Sequence, residues 1–133
     1  MKKILLTLTL LASLNSFGQV IESFKKKTSS NTKERTLILD ILRASLYKDY
    51  KQELIFVVNM LNVSSQYAWF EGTAVRKDRR EIETGDYDDC CHVEGLLKKS
   101  YGKWYIVELE AFSTDVWYDG IWDDYNIPRA LFN

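Results

Sequence analysis

Leu54-Ile55-Phe56-Val57-Val58-Asn59-Met60-Leu61-Asn62-Val63, then Ser64-Ser65-Gln66, then Tyr67-Ala68-Trp69-Phe70-Glu71-Gly72-Thr73-Ala74-Val75, is the stretch that decides the fold. The first run is rich in β-branched and aromatic residues. It reads as a strand buried over much of both faces. The three polar residues read as a short turn, and the second run as the next antiparallel strand. Gly72 inside that strand marks a bulge or a bend.

Upstream, Leu37, Ile38, Ile41, Leu42 and Ser45/Leu46 recur at helical spacing, which predicts one amphipathic helix over residues 33–48. Asn31 with Glu34 three residues later suits an N-cap and capping box. Residues 19–32 lack a clear period and read as a flexible lead-in, with Val20, Ile21 and Phe24 touching the core. Downstream, Arg76–Asp89 is a charged loop, Cys90–Lys99 a strand, and Trp104–Phe112 a last strand after a turn at Tyr101-Gly102-Lys103. In that last strand, Tyr105, Val107, Leu109 and Ala111 alternate with Trp104, Ile106, Glu108, Glu110 and Phe112. The expectation is an α+β domain over residues 33–133: one N-terminal helix packed on a curved antiparallel sheet of about four strands. Trp69, Phe70, Trp104 and Tyr105 are expected to fill the concave side or its mouth.

Met1-Lys2-Lys3, the short apolar run Ile4–Leu14 and the small residues of Ser16-Phe17-Gly18 are ordered as in a secretory signal peptide. Residues 1–18 are therefore expected to be removed near Gly18/Gln19, leaving an exported chain, periplasmic or extracellular. The apolar run is too short to span a membrane, which takes about 20 residues.

The 133 residues are 46% hydrophobic and 14% aromatic, which excludes a disordered chain. Two cysteines are too few for a disulfide-stapled miniprotein. A near-neutral net charge argues against nucleic acid as a partner. The charge is uneven, however: residues 19–80 hold 12 basic and 7 acidic groups, residues 81–133 hold 4 and 12. Such asymmetry marks a charged binding face or is cancelled when the two halves interleave in one sheet; interleaving is the expected outcome.

The helix-then-meander order matches the cystatin-like group of folds, with its nuclear-transport-factor-2-like relations. The runs "LILDILR", "ELIFVVNMLNV" and "YAWFEG", with "LLKKSYGKWYIVELEAFSTDVWYD" and the closing "IPRALF", resemble a group of small exported bacterial proteins. That group has no established biochemical activity. The resemblance implies the fold and the export and supplies no catalytic residues.

Candidate chemistry is sparse. Cys90-Cys91-His92 with Glu94 has neither the spacing nor the second pair that zinc requires, and His92 is the only histidine. No metal or cofactor is expected. The adjacent cysteines read as two thiols or an intermolecular bridge rather than as a bond to each other. Asp86-Tyr87-Asp88-Asp89 fails the calcium-loop pattern, which places Gly and Glu where Cys91 and Leu97 stand. Phosphate-binding glycine loops and the G-x-S-x-G nucleophile motif are absent, and no catalytic residue is assigned.

The most unusual composition lies at 115–125, where Asp115, Asp119, Asp123 and Asp124 interleave with Trp117, Tyr118, Trp122 and Tyr125. Such rings and carboxylates either anchor a protein partner or small ligand or pin a C-terminal flap over the open sheet. The functional expectation is an exported, non-catalytic binding or inhibitory module. Its contact residues would be Trp69, Trp104, Trp117, Tyr118, Trp122, Tyr125, Asp115 and Asp119. The alternatives are a small enzyme holding Glu108, Glu110 or Glu71 in the sheet cavity, and an immunity protein guarding against a secreted toxin. The sequence leaves the oligomeric state open.

Overall fold

Residues 19–85 and 90–133 are described by the computed structural model of the chain. Residues 1–18, read above as a leader, and residues 86–89, within the charged run 76–89, lie outside the described residues. The helical periodicity becomes helix α1, Thr32–Tyr50, which buries Ile38, Leu39, Leu42 and Leu46 on one face. This stripe is rotated from the expected one: Leu39 is inside and Leu37 is exposed. The helix stops where Lys51 turns left-handed (φ 56°) and donates its N–H to the Tyr47 carbonyl.

The capping box does not form. Asn31 instead closes the preceding turn, its Oδ1 accepting from the Thr28 N–H at 2.9 Å and its Nδ2 donating to the Lys26 carbonyl at 2.9 Å. Glu34 is used across the fold: its Oε1 accepts from Lys99 Nζ at 2.6 Å and from Trp104 Nε1 at 3.0 Å. A side-chain pair predicted to act locally thus ties the first helical turn to the sheet.

The sheet is an antiparallel meander of five strands in chain order: β1 Glu22–Ser23, β2 Leu54–Val63, β3 Tyr67–Arg76, β4 His92–Ser100 and β5 Lys103–Ala111. The strand beyond the expected four is β1, which pairs only with Asn62 and Val63. Beside it, the Phe24 N–H donates to the Leu61 carbonyl at 2.6 Å, and the Phe24 ring is buried. Within the segment read as a flexible lead-in, Phe24 touches the core as expected, whereas Val20 is 75% exposed.

Two bulges set which side chains meet α1. One lies on β2 between Val58 and Met60, opposite Gly72 and Glu71. The other leaves Val107 unpaired between Ile106 and Glu108. A bulge inserts one residue and so reverses the strict alternation of faces. Trp104 and Ile106 before it, and Leu109 and Ala111 after it, consequently all pack on the helix side. The sequence reading had divided these four between two faces.

The space between α1 and the sheet is filled by the helix stripe with Leu61, Phe70, Val93, Leu97 and Trp104. A second cluster covers part of the opposite face. There the C-terminal segment, with helix α2 (Ile121–Asp124) and a 3₁₀ turn (Arg129–Phe132), lays Ile121, Ile127, Leu131 and Phe132 on Tyr67, Trp69 and Leu96. Asn62 Nδ2 fastens the chain end by donating to the main-chain oxygens of Leu131 and Asn133, 3.0 Å each. Trp69 thus belongs to the face away from α1, and Tyr105 is exposed. Of the four bulky residues expected on the concave side, only Phe70 and Trp104 are there.

Candidate functional site

The aromatic segment at 115–125 is drawn onto the sheet. The Trp69 ring is fully buried, with centroids of Trp117, Tyr118 and Phe132 at 5.7, 5.0 and 4.8 Å. Trp122 stacks edge-on against Phe132 at 5.7 Å. The indole N–H groups of Trp117 and Trp122 are buried with no acceptor among the described residues. Trp69, Trp117, Tyr118 and Trp122 come together in one cluster. Asp115, Asp119 and Tyr125 stay exposed at its margin. Trp104 does not join them, because it packs under α1 on the opposite face.

Next to this flap runs a row of carboxylates. Register places Glu71 opposite Glu94, and Glu94 opposite Glu110. Glu94 is buried and paired with His92 (Nε2 to Oε1 2.8 Å), and Glu71 accepts from Trp69 Nε1 at 3.0 Å. Burial, followed by the charges of Glu94, Glu71 and Asp119, raises the Tyr118 hydroxyl above the ordinary tyrosine range. Glu108 accepts from the Tyr125 hydroxyl at 3.4 Å. Glu71 and Glu94 alternate with the core residues of their strands and so face away from α1, not into a cavity beneath it. Among the described residues no three His, Cys, Asp or Glu converge as a metal site requires. Cys90 and Cys91 are bonded to each other, against the expectation of thiols or an intermolecular bridge. The chain holds no third cysteine to compete.

The third feature was not foreseen. β1 covers only the last two residues of β2, so the outer edge of residues 54–60 has no strand beside it among the described residues. Two bonds fix which main-chain groups face that edge. The Glu53 carbonyl accepts from the Lys77 N–H on the β3 side, and the Leu61 carbonyl accepts from Phe24 on the other. Alternation from Glu53 to the bulge then aims the N–H and C=O groups of Leu54, Phe56 and Val58 outward. Ile55 and Val57 beside them are 46% and 58% exposed, and Ile55 pairs in register with exposed Val75.

Between this edge and α1 lies a groove of about 650 Å³. Its apolar surface comes from Ala44, Tyr47, Leu54 and Ile55, and its charges from Arg43, Lys48, Lys77 and Glu53. A smaller hollow adjoins it at Lys51, Gln52, Arg76 and Asp78. Arg43 bonds Asp40 at 2.6 Å and lies over the Phe56 ring at 5.6 Å, while its buried Nε has no acceptor among the described residues. The Asp78 carboxylate holds the Arg76 guanidinium through a 2.6 Å bond and raises its pKa.

The charge asymmetry points to this corner. Strands β1–β3 come from the basic half of the chain and β4–β5 from the acidic half, and the sheet runs in chain order. The halves therefore lie side by side and do not interleave. That asymmetry, together with apolar residues at every position of a strand start, was the signal in the sequence. It was legible only once the strand order was known.

No protein-family profile, curated protein or solved structure matches this chain. Among the described residues no helix is long and apolar enough to cross a membrane.

Proposed function

We propose that the protein is an exported, non-catalytic binding or inhibitory module that accepts an extended segment of a partner as an added strand on β2. The observation that carries this reading is the edge of residues 54–60, unpaired among the described residues and flanked by exposed Ile55 and Val57. Long bare edges invite pairing, and proteins usually blunt them with charge, proline or a covering loop. Here the edge is long, β-branched and lined by a groove, which are the parts used in strand addition: main-chain bonds for affinity and a pocket for a side chain. One helix across an antiparallel meander supports the cystatin-like reading of the fold, and the leader composition supports export. An immunity protein is one form this module takes. The enzyme alternative places Glu108, Glu110 or Glu71 in the sheet cavity; Glu108 and Glu110 are exposed, and Glu71 is bonded to Trp69 on the face away from α1.

A photo-crosslinking residue placed at Val57 or at Tyr125 in the producing cells tests the assignment. Val57 is expected to give a discrete adduct that disappears when Val58→Pro removes one outward donor while leaving the β3 ladder intact. Adducts from Tyr125 alone would transfer the contact to the C-terminal segment and overturn the proposal.

A further inference from the structure

We infer that the strand taken up by β2 is acidic: an extended peptide alternating carboxylate and apolar side chains, lying along Leu54–Val58 with its carboxylates toward α1 and its apolar side chains beside exposed Ile55 and Val57. The inference rests on the strand-addition reading above and adds the chemistry of the partner. Around the groove and its adjoining hollow stand five cations, Arg43, Lys48, Lys51, Arg76 and Lys77, against the two carboxylates Glu53 and Asp78. Those two are already engaged, Glu53 with Lys77 at 3.3 Å and Asp78 with Arg76 at 2.6 Å, and Arg43 is held by Asp40 at 2.6 Å, so the surplus rests on Lys48 and Lys51. Lys48 and Lys51 are exposed and have no ion-pair partner among the described residues. The local surplus is positive although the whole chain is slightly negative. Electrostatic complementarity selects partners and speeds their encounter more than it adds raw affinity.

A second copy of this chain is the other strand donor to consider. Antiparallel pairing about a two-fold axis near Val57 would set the same cations against themselves, and like charges juxtaposed at an interface disfavour it. Acidic peptide meets no such penalty. Within the chain, side chains also alternate correctly for it: outward main-chain groups belong to Leu54, Phe56 and Val58, whose side chains face α1, so an added strand presents one face toward α1 and the cations.

The test uses two synthetic heptapeptides, one alternating glutamate and valine, the other lysine and valine, titrated into the isotopically labelled chain lacking its leader. The glutamate peptide is expected to shift the amide resonances of Leu54, Phe56 and Val58 and to bind at least about tenfold more tightly than the lysine peptide. The preference should shrink as salt rises and reverse in the double variant Lys48→Glu, Lys51→Glu, both at exposed positions. Equal binding of the two peptides at β2 would overturn the acidic preference and leave strand addition standing. No shift at 54–58 with either peptide would overturn both. A concentration-dependent dimer in sedimentation, abolished by Val58→Pro, would assign the edge to a second copy and equally overturn the inference.

Discussion

Trp69→Ala is expected to cost about 3–5 kcal/mol of folding stability, the range for removing a large buried aromatic ring. Trp69 is the hub of the outer cluster. It is fully buried, three rings stand within 6 Å of it, and its Nε1 is satisfied by Glu71. Its loss opens a cavity under the C-terminal segment, leaving that segment held by its packing on Tyr67 and Leu96 and by the Asn62 bonds to Leu131 and Asn133. Urea denaturation should show a large drop in midpoint, and limited proteolysis should begin cutting within 115–133. Trp117→Ala, at a partly exposed ring on the rim of the same cluster, should cost less. A Trp69→Ala variant as stable as the parent would mean that the segment is not docked as described.

Gly72→Ala is the second large effect, and it acts by overfilling. A Cβ at this position would stand 2.5 Å from Phe70 Cζ and 2.9 Å from the Val57 carbonyl oxygen. The Phe70 ring is fully buried against Phe56 (centroids 4.9 Å apart) and has nowhere to swing. The carbonyl is backbone in the neighbouring strand, beside the bulge at Val58/Met60. Relief requires moving the β2–β3 pairing, so the cost belongs at the upper end of the about 1–3 kcal/mol typical of overpacked cores. Thermal melts of Gly72→Ala and Gly72→Val should fall in that order. Unchanged melting of both would show that Phe70 does not lie over this glycine.

These two positions also show what the sequence does and does not disclose. The helix, the β2–β3 hairpin, the turns and the role of Gly72 beside a bulge were all readable, because periodicity and turn chemistry are local. The side to which each aromatic goes was not. Trp69 and Phe70 are neighbours on one strand and must face opposite ways, but which of them meets α1 depends on register. In β5 the bulge at Val107 overrode the apparent alternation. Asn31 and Glu34 fit a local cap and were recruited elsewhere, since Lys99 and Trp104 lie close only after folding. The aromatic–acidic segment was recognised as exceptional, and its alternative reading as a flap over the open sheet describes its packing. The bare edge of β2 had no local signature: Ile55 and Val57 look like core residues in any strand, but they lie on the face away from α1, outside the C-terminal cluster, and the main-chain edge beside them is bare because β1 is two residues long.

That edge is the centre of the account, and residue-resolved amide hydrogen exchange on the free protein tests it most directly. If the edge is open, the amides of Leu54, Phe56 and Val58 exchange rapidly, while those of Ile55 and Val57, bonded to β3, are protected along the same strand. Equal protection of all five would mean that the edge is already paired in the native protein, and would contradict the account.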